Sequence, residues 1–187
     1  MNSLVILDLS FNDFDGGIPI SFKHLCNLRS LDLTSVRLSQ EVNEVLKILS
    51  ECVSDGLELL SLSECELSGY LTDDLGRFRN FSFLDLSSNL ISGPIPRSLK
   101  HFCNLKTLNL QNLKLNQGIN EGLEILSGYD ALESLYLYDS QLSAYLTDRL
   151  GHFRNLVTLD LDDNLISGPI PLSLGEMKSL RILKLSL

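Results

Sequence analysis

The residues with chemistry to offer in this 187-residue chain are three histidines, four cysteines and a large set of carboxylates. His24, His101 and His152 each stand just before an apolar residue, Leu25, Phe102 and Phe153, and the same position elsewhere holds Arg77 and Glu176. A position that accepts His, Arg and Glu alike reads as solvated surface rather than as a general base. The chain has no Gly-x-Ser-x-Gly elbow, phosphate loop, His-Glu-x-x-His or Cys-x-x-Cys, the spacings that acyl transfer, phosphate binding and zinc or redox chemistry require. The expectation is a protein that is not an enzyme and holds no metal or cofactor.

The cysteines offer oxidation chemistry. Cys26 and Cys103 share a position with Arg79, Arg154 and Lys178, so their thiols should be at least partly accessible. Cys52 falls near the end of the next unit on the same side, which makes a Cys26–Cys52 disulfide conceivable in an oxidising compartment. Tyr129 stands where the second copy of Cys52 would be, leaving Cys103 alone, and Cys65 reads as a small buried residue. One glycosylation sequon is present, Asn80-Phe81-Ser82.

The remaining candidate is a recognition surface. Tyr136, Tyr138, Asp139, Asp160, Asp162 and Asp163 form an aromatic and acidic group suited to a basic or polar peptide or protein, because tyrosine offers contact area at low entropic cost. Its plainer reading is a polar face that keeps a sheet soluble. Phe11 and Phe83 are the other aromatics expected on that face. Lys184 follows Asp160 by one unit and should meet it as an exposed, weak ion pair.

These residues need elements to carry them. The pattern Leu-x-x-Leu-x-Leu-x-x-Asn-x-Leu/Ile/Phe starts at Leu4, Leu28, Leu57, Phe81, Leu105, Leu132, Leu156 and Leu180. A 24-residue period of this form marks a leucine-rich repeat. Leu-x-Leu is a strand with one buried side, so strands are expected near Asp8, Asp32, Ser61, Asp85, Asn109, Tyr136, Asp160 and Lys184. A second apolar row, Leu25, Phe78, Phe102, Phe153 and Met177, turns inward from the return path. The fold class is α/β: a curved right-handed solenoid with a parallel sheet on the concave face and short helices and irregular turns on the convex face. Helical spacing in 41–51 and 119–128 predicts the helices. Asn12, Asn89 and Asn164 should bridge coils. Val36, Cys65, Leu113 and Ser140 interrupt that row, so irregular coils are expected there.

A longer period overlies the first. Unit 57–80 matches 132–155, and 81–104 matches 156–179, while 28–56 and 105–131 are both lengthened. Three units thus form a duplicated block. The expected organisation is one domain over 1–187, an uncapped fragment of seven full repeats plus a truncated eighth. Its apolar ends, Leu4–Leu9 and Leu180–Leu187, would then be open to water or to a second copy, a self-association hazard. The net charge of −9 argues against a nucleic-acid partner, which needs a basic stripe. No apolar run is long enough to span a membrane, and no signal peptide is evident.

The units LDLSSNLISGPIPRSLKHFCN and LDLDDNLISGPIPLSLGEMKS resemble the plant-specific leucine-rich repeat, marked by Leu-Ser-Gly-x-Ile-Pro. With LNQGINEGLEILSG and LESLYLYDSQLSAYLTDRLGHFRNL, the chain resembles ectodomains of plant receptor-like proteins of the ethylene-inducing-xylanase receptor type. The resemblance implies a glycoprotein segment on the extracellular side of the plasma membrane. It implies recognition of a protein or peptide ligand and signalling in plant defence through a co-receptor kinase. Gln40-Glu41-Val42-Asn43 in one unit, and Leu-Thr in 57–80 and 132–155, depart from the motif and put a second short strand in doubt there. Two alternatives stand beside it: a secreted inhibitor of pathogen cell-wall-degrading enzymes, which uses the same plant repeat, and an intracellular leucine-rich repeat scaffold, which the Leu-Ser-Gly-x-Ile-Pro motif disfavours.

Overall fold

The computed structural model describes residues 3–186; of the expected apolar ends, Leu187 lies outside them. Eight short strands form one parallel sheet in chain order: β1 Ile6–Asp8, β2 Ser30–Asp32, β3 Leu59–Ser61, β4 Phe83–Asp85, β5 Thr107–Asn109, β6 Ser134–Tyr136, β8 Thr158–Asp160 and β10 Ile182–Lys184. Register never slips, so Asp8, Asp32, Ser61, Asp85, Asn109, Tyr136, Asp160 and Lys184 align in one row. That row closes each strand rather than centring it. The solenoid is the expected one, with its sheet lining the concave side. The inward leucines of β2 to β6 and β8, such as Leu31, Leu60, Leu108 and Leu159, have no exposed surface.

The return path alternates two solutions. Most coils use a five-residue 3₁₀ turn, while the two lengthened units carry α1 (Val42–Leu49) and α2 (Ile119–Leu126). Each helix buries the face its spacing predicts: Val42, Val45, Leu46 and Leu49 in α1, Ile119, Leu123 and Leu126 in α2. Phe78 and Phe81 stack with ring centroids 5.0 Å apart, and Phe102 meets Phe81 edge-on at 5.6 Å. These rings join the strand row to the return row. At the last strand described, Leu183 is 37% exposed, whereas its counterpart Leu159 is fully covered by neighbouring coils.

Two expectations require correction. The interrupted asparagine row produces no irregular coil. Asn89 Oδ1 accepts the N–H groups of Cys65 and Leu67, and its Nδ2 donates to the carbonyls of Leu62, Leu86 and Ser87. Cys65 Sγ in turn lies 3.1 Å from the Leu33 carbonyl, one coil further back. The second block repeats the arrangement: Asn164 holds Ser140 and Leu142, and the Ser140 hydroxyl donates to the Leu110 carbonyl. Because each bridge runs toward the preceding coil, the coils of Val36 and Leu113 receive their bond from Cys65 and Ser140. They need no polar side chain of their own.

The second correction concerns the short outer strand. Ser143–Tyr145 (β7) pairs in parallel with Leu165–Ser167 (β9), and single bridges Glu41–Ser68, Tyr70–Ser92 and Gly118–Ser143 continue the row through the departing units. The pairing is made by backbone groups, so loss of Ile-Pro does not abolish it. What the row uses in the five coils that return through a 3₁₀ turn is a left-handed residue. Gly16, Gly69, Gly93 and Gly168 have φ of 81–88°, and Ala144 occupies the matching position with φ 79°. A Cβ in that region meets the following carbonyl at a cost of about 1–2 kcal/mol. Ala144→Gly should therefore raise unfolding free energy by about 1 kcal/mol; an unchanged or lower denaturation midpoint would contradict this.

Candidate functional site

Strand alternation sends the side chains between the buried leucines onto the concave face. Few of the acidic groups there are free. In the strand-closing row, Asp8 Oδ1 accepts the N–H of Ser10 at 2.9 Å and its hydroxyl at 2.6 Å. These bonds hold the Asp8 carboxyl below the usual carboxylate range. Asp32 does the same for Thr34 and Asp85 for Ser87. Further bonds cross between coils: Thr34 to Ser61 at 2.7 Å, Ser63 to Ser87 at 2.9 Å, and Asn109 Nδ2 to Asp85 at 3.0 Å. The aspartate row is therefore first a set of turn caps, which the spacing alone did not reveal.

The turn after each strand adds a second regularity. Phe11, Ser35, Glu64, Ser88, Asn112, Asp139 and Asp163 all have φ between 43° and 59°. The left-handed turn is thus imposed by the solenoid whatever the side chain. It swings these residues outward at the rim; Phe11 is 79% exposed, while Phe83 on its strand is half-buried.

Within this frame the six candidate residues divide. Asp160 is buried at 5% exposure. Its Oδ1 accepts the N–H of Asp162, and its Oδ2 takes Lys184 Nζ at 2.7 Å. Only the acidic half of the pair departs from the exposed one expected: Tyr136 and Lys184 flank Asp160 in register, while the Lys184 side chain stays half exposed. The Asp160 hydrogen bond and charge raise the Lys184 pKa. Asp162 Oδ1 accepts the N–H of Ser186 at 2.6 Å. Tyr136 and Tyr138 are half-buried on the concave surface, and Asp139 and Asp163 are exposed at the rim. The Tyr138 hydroxyl bonds to Asp163, and that bond and the nearby negative charge raise the phenol pKa. The structure thus brings together Tyr136, Tyr138, Asp139 and Asp163 as an accessible group, with Asp160 and Asp162 beneath as supports.

The other candidates lie elsewhere. Cys26 and Cys52 are joined in a disulfide with Cα atoms 4.9 Å apart, whereas Cys65 is buried and Cys103 exposed as free thiols. Burial pushes the Cys65 thiol up to about 12. Asn80 Nδ2 donates to the Asp55 carbonyl at 2.6 Å; Asn155, which has no sequon, makes the same bond to Asp130. That position is a bridge between coils in both blocks, with or without a sequon. His24, His101 and His152 end 3₁₀ turns on the exposed return path. Among the described residues no group of three or more His, Cys, Asp or Glu could hold a metal ion.

Two exposed aromatics escaped the sequence reading. Tyr70 and Tyr145, 62% and 57% exposed, stand beside the outer strand row with Leu90 and Leu165. The repeated segments LSGYL and LSAYL carried that signal.

The leucine-rich repeat family model matches residues 3–25, 80–102 and 155–177. Receptor-like protein 35 of Arabidopsis thaliana is 31% identical over 169 residues, covering 90% of this chain and 17% of that protein. Receptor-like protein EIX1 of Solanum lycopersicum is 32% identical over 170 residues, covering 88% of this chain and 16% of that protein. The chain therefore spans under a fifth of the length of these relatives. Among solved structures, the Arabidopsis receptor kinase HAESA, crystallised with the peptide hormone IDA and the co-receptor SERK1, superposes with a TM-score of 0.83. It is 27% identical, over 98% of this chain and 29% of that one.

Proposed function

Since the chain is a leucine-rich repeat segment of the plant receptor-like protein family, we propose that it is a recognition segment of a cell-surface receptor and not a catalyst. Its concave face would take a protein or peptide ligand, with a co-receptor kinase as the signalling partner and plant defence as the setting. The similarity to EIX1 and to a receptor solved with peptide and co-receptor supports that reading. The observation that carries it is the cluster at one end of the concave sheet. Tyr136 and Tyr138 lie two residues apart along one strand path, with the exposed carboxylates of Asp139 and Asp163 at its rim. Aromatic area edged by negative charge suits a ligand with a basic or polar side chain against an apolar one.

The test separates recognition from support. Tyr136→Ala with Tyr138→Ala should weaken partner binding at least tenfold, because both rings stand on the opposite side of the sheet from the leucine core. The melting temperature should stay nearly unchanged. A folded double mutant with full partner affinity would remove this cluster as the contact, and a collapsed melt would make the tyrosines braces. Full-length relatives of known partner provide the assay background, with the segment exchanged in place.

A further inference from the structure

The duplicated block allows the chain to be compared with itself. Coils 57–80 and 81–104 match coils 132–155 and 156–179. Leucines that point into the core are kept, as in Leu60 and Leu135 or Leu84 and Leu159, and the flank run NLISGPIP is identical in residues 89–96 and 164–171. The concave side is not kept. Of the eight outward positions on the two strands and their turns, only Asp85 meets its own residue type, Asp160, in the second block. Both of these cap the turn that follows, so the one outward residue retained is the one the frame needs.

The exchanges run in opposite directions along the strand. In the first block Leu59 and Phe83 open their strands where Ser134 and Thr158 stand in the second. Leu59 and Phe83 are half-buried neighbours in register, and among the described residues neither belongs to the leucine core. Beside them the strand path holds small residues: Ser61 and Ser63 are buried, with their hydroxyls bonded to those of Thr34 and Ser87. The two apolar side chains therefore stand next to a low serine floor. In the second block Tyr136 and Tyr138 take the places of those two serines, so the bulk moves to the far end of the strand. The strand between, β5, and the residues just after it offer Thr107, Asn109 and Gln111, neutral groups that suit a peptide backbone.

Register fixes the separation. From Phe83 on β4 to Tyr136 on β6 the path crosses two strand spacings and advances two residues, about 12 Å in all. An extended peptide covers that in about four residues, and side chains four apart leave the same face of it. Side chains three apart leave opposite faces.

We propose that the two blocks read two different side chains of one extended peptide. An apolar residue settles on Leu59 and Phe83, and a basic residue about four positions along lies against Tyr136 and Tyr138 and reaches the carboxylates of Asp139 and Asp163. This rests on the concave-face reading above and adds to it the apolar subsite, the spacing and the sidedness.

Titration of the folded chain with acetyl-Leu-Thr-Ser-Thr-Arg-amide and with the reverse order, acetyl-Arg-Thr-Ser-Thr-Leu-amide, tests the pairing; the tighter of the two is carried forward. The readouts are the Thr107 methyl and Tyr136 ring resonances. That peptide should bind at least about tenfold tighter than versions with one spacer residue removed, with serine for leucine, or with glutamine for arginine, because linked subsites reinforce each other. Leu59→Ser with Phe83→Thr should lower its affinity to that of the version lacking leucine. Tyr136→Ala with Tyr138→Ala should lower it to that of the version lacking arginine. If the first double variant does not fold, the changes made in the peptide decide alone. Arginine-dependent binding that needs the tyrosines but ignores Leu59, Phe83 and the spacing overturns the two-subsite proposal and leaves the concave reading standing. Spacing-dependent binding that ignores the tyrosines overturns both. No saturable binding of any peptide overturns the proposal alone, since the partner assay with the tyrosine pair replaced is independent of it.

Discussion

Asn89→Ala should cost about 4 kcal/mol of stability. The substitution leaves the N–H groups of Cys65 and Leu67 without an acceptor in a site where Asn89 itself is only 6% exposed. It also removes the donor shared by the carbonyls of Leu62, Leu86 and Ser87. Each buried group left unmatched costs about 1–3 kcal/mol, and the carbonyls retain other partners more readily than the N–H groups do. Asn164→Ala should behave alike, since it holds Ser140 and Leu142 through the same bonds. Asn12→Ala is the internal control: among the described residues its amide donates to Leu9 and Ser10, at an exposed turn, and the loss should stay below about 1 kcal/mol. Denaturant titration of the three variants decides the matter. Similar losses at Asn12 and Asn89 would mean that the cross-coil bonds contribute nothing beyond the local turn.

Replacing both Cys26 and Cys52 with serine should cost about 3.5 kcal/mol. The bridge joins residues 26 apart in sequence, and closing a loop of that length removes about this much conformational freedom from the unfolded chain. The closed segment contains β2 and α1, so the bridge ties the end of the helical coil to the start of its own strand. The second block makes the comparison. Tyr129 fills the place of Cys52, buried at 2% with its hydroxyl unpartnered and its pKa raised by burial, and Cys103 is left as an exposed thiol. That block holds its lengthened coil without a covalent tie, by packing and by bonds such as that from Asn120 Nδ2 to the Tyr145 carbonyl. Melts of the oxidised protein, the reduced protein and the double serine variant should place the last two together, well below the first. A melt indifferent to reduction would show that the bridge carries no stability.

The fold was legible because its information is local. Leu-x-Leu names the strand and its buried side within three residues, and Val42, Val45, Leu46 and Leu49 name a helix face within eight. What escaped was set by partners about one coil away in sequence. The spacing pairs Asp160 with Lys184, but the burial of that carboxylate shows only once the coils stack. Val36 and Leu113 looked like defects because their support comes from Cys65 and Ser140 in the following coil. The left-handed rim was hidden for the opposite reason: Phe11, Glu64 and Asp139 share one backbone conformation despite unlike side chains, so composition carried no trace of it. For the candidate cluster, alternation correctly placed Tyr136 and Tyr138 on the concave side but could not separate accessible carboxylates from those used as caps.

The duplicated three-coil block has a consequence for how such a chain can lengthen. Strand register is identical at every junction, and the Asn–Cys/Ser–Val/Leu order completes itself within each block. A block therefore enters or leaves with both of its stacking faces already matched to their neighbours. Near-identical stretches such as NLISGPIP are the kind of sequence at which unequal recombination exchanges whole units. Copy number can drift without disturbing any coil that remains, while a paired feature such as the Cys26–Cys52 bridge diverges in one copy and leaves the other intact.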